Sequence, residues 1–147
     1  MEWNDTILIV GALGELKVYR VEEAQRQIGT ELKTVYHPEL VTDLDFIDAH
    51  KKLHEVVTDE AGRFGHNISE EHELQNERKE RVIKDAAKVI KQTIETLNPK
   101  RVMLSYTKEY IHKLEDALDP QVKAKIKKIL PVDLVKVPAD KLLEHFA

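Results

Sequence analysis

The run Thr6–Gly11, TILIVG, constrains this chain more than any other segment. It is continuous, β-branched and without polar alternation, which predicts a strand with apolar side chains on both faces. Such a strand needs cover above and below the sheet that contains it. The remainder of the 147 residues must supply that cover, and a chain of this length reads as a single domain, 1–147. Charged residues make up 34%. That exceeds the usual ~25%, so the covering helices are expected to be long, solvent-facing and salt-bridged.

Gly11 and Gly14 bracket a tight connection to a second strand, Leu16–Val21, antiparallel to the first. A third strand is expected at Glu31–Tyr36, ending before Pro38, and a short helix at 47–57 with Leu53, Val56 and Val57 inward. TDEAGRFGHN, from Thr58 to Asn67, reads as an exposed loop. A long helix follows, capped by Asn67 or Ser69 and stopped near Leu97 by Asn98-Pro99. Its second half carries a stripe through Val82, Ile83, Ala86, Ala87, Val89, Ile90, Ile94 and Leu97. Its first half, EEHELQNERKER, has only Leu74 as an apolar residue and is expected to stand in solvent or fray.

KRVMLS, Lys100–Ser105, predicts another buried strand. Thr107 is expected to cap a helix from Lys108 to Leu118. Asp119-Pro120, an N-cap followed by proline, opens a helix expected to reach Leu130. A last strand is expected at Val132–Val137 and a last helix at Ala139–Phe146. The fold class is therefore α/β: a mixed five-stranded sheet with helices on its faces, an antiparallel meander leading into parallel strands.

Several chemistries are excluded or left unsupported. Cysteine is absent, which removes disulfides, thiolate catalysis and Cys-based metal sites. The net charge of −4 excludes a strongly basic nucleic-acid protein while permitting a local basic patch. No run is long and apolar enough to span a bilayer, and MEWNDT does not read as a signal peptide, so a cytoplasmic location without membrane contact is expected. Gly11-Ala12-Leu13-Gly14 follows a strand but lacks the third glycine of a dinucleotide fingerprint and precedes a strand, so it reads as a hairpin turn. His50 and His54 share a helical face but lack the HExxH pattern, and Ser69 and Ser105 are the only serines. No catalytic residue, metal ligand or cofactor is assigned.

Two segments remain as candidate contact surfaces. Lys123, Lys125, Lys127 and Lys128 spread positive charge around a predicted short helix, a pattern that suits RNA phosphates. In the loop, Asp59, Gly62, Arg63, Phe64, Gly65 and His66 place one arginine and one aromatic between glycines, which suits an anion or RNA.

Four segments carry a resemblance to a known family: LIVGALGELKVYRV, TDEAGRFGH with Asp59, Gly62 and Arg63, NPKRVMLSYTKEYIHKLEDAL, and DPQVKAKIKKILPVDLVKVPADKLLEHF. The chain resembles the bacterial "protein required for attachment to host cells" family, relatives of the middle domain of archaeal and eukaryotic class I peptide-release factor. The resemblance implies a ribonuclease H-like sheet. In release factors the loop before the long helix carries Gly-Gly-Gln, whereas here it reads Gly62-Arg63-Phe64-Gly65-His66. The expected function is a non-enzymatic, RNA- or ribosome-associated protein linked only indirectly to host attachment. The alternatives are a hydrolase of an RNA or peptidyl-tRNA ester, with His66 as its base, and a protein-interaction or regulatory module. The oligomeric state is left open.

Overall fold

The computed structural model describes residues 3–46 and 68–147, with side chains from 76 onward in the second stretch. The expected helix at 47–57, the loop at 58–67 and the His50/His54 pair lie outside the described residues. The elements run β1 (Thr6–Gly11), β2 (Glu15–Ile28), β3 (Glu31–Asp45), α1 (Ile68–Leu97), β4 (Arg101–Tyr106), α2 (Ile111–Ala117), α3 (Pro120–Lys125), β5 (Ile126–Leu130) and α4 (Ala139–Phe146). The strands form one sheet in the order β3-β2-β1-β4-β5. β1 pairs antiparallel with β2 and parallel with β4, and β4 pairs parallel with β5. The sheet is mixed, with helices on both faces, as the residue pattern predicts.

Every residue of β1 is buried. Ile7 and Ile9 point to one face, where Ile83, Ala86, Ala87, Ile90 and Ile94 of α1 cover them together with Ile111 and Leu114 of α2 and Val122 of α3. Leu8 and Val10 point to the other face, under Leu142 and Phe146 of α4, Leu134 and Val135 of the preceding segment, and Trp3. The run TILIVG thus acts as the hydrophobic midline of a three-layer packing. Asp5 fastens its start: the Asp5 carbonyl and carboxylate both accept from the Lys100 amide, at 3.0 and 3.2 Å, beside the first residue of β4. α1 ends as its sequence predicts. Asn98 takes the left-handed conformation at φ 44° and Pro99 follows.

The structure corrects five expectations. β2 and β3 are far longer than predicted, and they outrun β1, whose pairing covers β2 only from Leu16 to Arg20. β3 passes through Pro38 rather than stopping before it. An edge strand tolerates proline where the nitrogen faces away from its neighbour. β3 also carries a bulge: Val18 opposes Thr42 and Tyr19 opposes Leu40, leaving Val41 as the extra residue.

α2 starts at Ile111, because Thr107–Tyr110 closes a turn through the Tyr110 amide and Thr107 carbonyl at 3.1 Å. Thr107 therefore caps nothing. α3 stops at Lys125, and Ile126–Leu130 is a strand. Ile126 and Ile129 have helical spacing, yet a bulge at Lys127 turns both toward the α1 side while Leu130 faces α4.

The fifth strand is therefore β5, and Val132–Val137 is irregular. Within that segment Asp133 accepts from the Val135 amide at 3.0 Å, a local turn that competes with ladder formation. The Ser105 hydroxyl and the Lys17 ammonium donate to its carbonyls at Val132 and Val135, at 2.6 and 3.0 Å.

Gly11 is needed for close approach. A Cβ there would lie 2.7 Å from Leu16 Cδ1 and 2.8 Å from Tyr106 Cδ2, so the Tyr106 ring occupies the space above it. Gly11→Ala is expected to lower unfolding stability by about 1–3 kcal/mol, the usual cost of overpacking. Denaturant unfolding of the variant against the parent protein checks this.

Candidate functional site

β1, β4 and β3 finish at the same end of the sheet, where β2 begins, since Gly11 pairs with Tyr106 and Glu15 with Asp45. The C-terminal ends of parallel strands are where α/β sheets commonly place functional groups. On the α1 side of this end Tyr106 is fully buried, and burial pushes its hydroxyl up to about 12. Among the described residues the hydroxyl has no hydrogen-bond partner, and neither does the buried Nη1 of Arg78 on α1. Elsewhere on α1, Lys79 Nζ stands 5.5 Å from the centre of the Tyr110 ring, within cation–π range. Orphaned buried polar atoms are few in folded proteins, so the Tyr106 hydroxyl and Arg78 Nη1 each stand out among the described residues.

On the α4 side of the same end, Glu15, Asp43 and Asp45 bring carboxylate oxygens within 4.8 Å of one another. Their origin is the register: Asp45 opposes Glu15, and Asp43 opposes Lys17. Lys17 Nζ lies 3.8 Å from Glu15 and lowers the local negative potential. The hydrogen bond to Asp43, with burial and the charges of Asp43 and Asp45 adding and Lys17 opposing, raises the Glu15 carboxyl above its ordinary value. Three hard oxygen donors could share a proton or hold a hard divalent cation. The sequence pattern gave no sign of this group, because its members come from two strands brought together only by pairing.

The predicted lysine cluster is divided by the fold. Lys123 and Lys125 lie on α3, Lys127 sits at the β5 bulge, and Lys128 is on β5. Lys125 donates to Asn98 Oδ1 at 2.9 Å. Lys128 donates to the carbonyls of Phe146 and Ala147 at 3.1 and 3.2 Å, tying the end of α4 to the sheet. The predicted loop residues Asp59, Gly62, Arg63, Phe64, Gly65 and His66 lie outside the described residues.

The structure brings forward a different basic surface. Lys84, Lys88 and Lys91 of α1 line an open groove of about 500 Å³ against Ala117, Leu118 and Asp119. Lys113 lines an adjoining hollow with Lys84, where Glu80 and Asp116 balance their charge. Lys91 reaches Asp119, the N-cap of α3, at 3.5 Å. The signal was in the sequence: these three lysines repeat at helical spacing beside the apolar stripe, and that spacing groups them along one side of the helix. The groove places them next to the short helix that carries Lys123 and Lys125.

The profile of the family described as "protein required for attachment to host cells" matches residues 17–146. The chain belongs to this family. The matched span starts within β2 and runs to the end of α4, so it includes the lysine-lined groove and, of the carboxylate group, Asp43 and Asp45, while Glu15 precedes it. No curated protein matches the chain. Among the described residues of this host-attachment family member, no helix is long and apolar enough to cross a membrane.

Two outcomes follow from the end of the sheet. Tyr106→Phe removes a buried hydroxyl without a partner, so it should leave stability unchanged or raise it by about 1–3 kcal/mol, read by denaturant unfolding. Glu15 has a folded-state pKa above its unfolded value, so its protonated form is the one favoured by folding. Its contribution is fully present below about pH 4.5 and is lost as pH rises through the folded value, leaving a charge repelled by Asp43 and Asp45. Glu15→Gln should therefore raise the melting temperature at neutral pH, and the difference should shrink as the pH falls toward 4.

Proposed function

We propose that this protein is a non-enzymatic, cytoplasmic RNA-binding protein that associates with the ribosome, built on a ribonuclease H-like sheet related to the release-factor middle domain. The observation that carries the reading is the lysine-lined groove of α1, where Lys84 and Lys88 present ammonium groups along one ridge that Lys91, paired with Asp119, continues. Successive members are separated by about 6 and 4.5 Å of helix axis, a row suited to a phosphate backbone. Lys113, Lys123 and Lys125 extend the positive charge on neighbouring elements. The order β3-β2-β1-β4-β5, antiparallel in its first three strands and parallel among β1, β4 and β5, is in keeping with a ribonuclease H-like sheet.

In this reading the segment holding Asp59, Gly62, Arg63, Phe64, Gly65 and His66 makes the second contact, since it joins β3 to α1. The −4 net charge favours a local, salt-sensitive contact over tight nonspecific binding. The hydroxyls seen at the sheet favour binding over nucleophilic chemistry. Ser105 donates to a main-chain carbonyl, and Tyr106 is held protonated by burial. A link to host attachment is then indirect, through translation in the bacterium.

Fluorescence anisotropy with single-stranded RNA over a salt series tests the reading. Binding should weaken with salt, and Lys84→Gln, Lys88→Gln and Lys91→Gln together should flatten the slope of log K against log salt by about 2, from three lost phosphate contacts. The parent protein should co-sediment with ribosomes at low salt, and Arg63→Ala should reduce that fraction. Absence of RNA binding at low salt, or binding indifferent to the triple variant, removes the reading.

A further inference from the structure

The hairpin of β2 and β3 outgrows the sheet. β1 pairs with β2 only as far as Arg20, whereas β2 and β3 pair with each other out to Ile28 and Glu31. From Glu22 to Ile28 and from Glu31 to Thr34 every residue is exposed except for its partner strand. A two-stranded ribbon is marginal by itself in water, and beyond Tyr36, which packs against the α4 cluster, this arm has no third strand among the described residues. Four of the five large apolar side chains exposed among the described residues lie on the hairpin: Ile28 at 55%, Leu32 at 72%, Leu40 at 53% and Val41 at 47%.

The main-chain phase fixes which groups face outward. The Ala12 amide donates to the Glu15 carbonyl at 2.9 Å, so Glu15 and the odd-numbered residues of β2 address β1, and the even-numbered ones address β3. Arg20 therefore bonds Glu39 and Glu22 bonds His37, while Val21 and Pro38 form a non-bonded pair. Leu32, Thr34, Tyr36, Pro38 and Leu40 consequently direct their main-chain groups away from β2. This outward row is bounded by the turn at Gly29 and by the bulge at Val41, which reverses the phase: the Phe46 amide points inward, to the Gly14 carbonyl at 2.9 Å. Its centre is Tyr36.

We propose that two copies of this chain join edge to edge along β3, antiparallel about a two-fold axis at Tyr36, giving a continuous ten-stranded sheet. About that axis residue 36 − n of one copy faces residue 36 + n of the other. Leu32 then meets the partner copy's equivalent of Leu40, pairing the two exposed leucines on the same face. Lys33 meets the equivalent of Glu39, an opposite-charge pair formed twice by the symmetry. Moving the axis by one residue to Val35 sets Glu31 opposite Glu39 and Lys33 opposite His37, so the charges select the register. In the free chain Glu39 sits opposite Arg20 on β2 and 3.5 Å from the exposed His37 imidazole, and its side chain stays exposed. Pro38 contributes a carbonyl and no N–H, which omits one ladder bond on each side of the axis and makes the dimer reversible.

Sedimentation equilibrium of the full chain over a concentration series tests this. The weight-average mass should rise from 17.0 kDa toward twice that value. Lys33→Glu and Glu39→Lys, each alone, should weaken dimerisation by about tenfold or more by placing like charges opposite, and the two together should restore it. Circular dichroism should show all three variants folded, since both side chains are exposed. Amide exchange at Leu32, Tyr36 and Leu40 should slow as concentration rises. A monomer at every concentration, a dimer indifferent to the single swaps, or a double variant that stays monomeric overturns the proposal.

Discussion

The structure rests on the burial of β1 on both faces. A six-residue strand with no exposed residue cannot be satisfied by a helix on one side alone. Ile7 and Ile9 require α1, and Leu8 and Val10 require α4 with the segment before it. β1 must also be hydrogen-bonded along both edges, since its amides and carbonyls have no access to water. β2 fills one edge through a tight turn, and β4 fills the other only after the chain has crossed the sheet. The close fit of Tyr106 over Gly11 belongs to the same constraint, because the parallel register of β1 and β4 sets the two residues opposite each other.

Away from that midline, polar groups hold the second layer in position. The segment 131–138 has no ladder of its own, and its carbonyls are taken by Ser105 from β4 and Lys17 from β2. Lys128 secures the last turn of α4 through two carbonyls. These lysines are partly buried donors with structural partners, whereas Lys84 and Lys88 of α1 are exposed along an open groove and Lys91 beside them pairs with Asp119.

Much of the fold was legible in the sequence because apolar runs and punctuation agreed with each other. TILIVG, KRVMLS, the α1 stripe with its Asn98-Pro99 stop, and the Asp119-Pro120 start each combined a pattern with a terminator, and each formed. The misread elements were those whose local pattern was ambiguous. Ile126, Ile129 and Leu130 fit a helical face, and pairing with β4 made them a strand through a bulge at Lys127. Val132–Val137 alternates like a strand, and the Asp133 side chain turned it instead. The family resemblance was legible from short motifs. The groove lysines were visible as a helical repeat, but the carboxylate group was not, because Glu15 and Asp45 are neighbours only through the β2–β3 register.

By itself, then, the sequence determined which segments must be buried and where helices start and stop, since side-chain hydrophobicity, proline and capping residues act within a few positions. The tertiary structure decided strand partners, the phase of the β3 edge and the convergence of charges from distant strands. Those depend on backbone hydrogen bonds between segments far apart in the chain, and a backbone group carries no record in the sequence of which strand it will meet. β3 shows the division clearly. Its residues were all in view, but that five of them face outward around Tyr36 follows only from the pairing of β2 with β1.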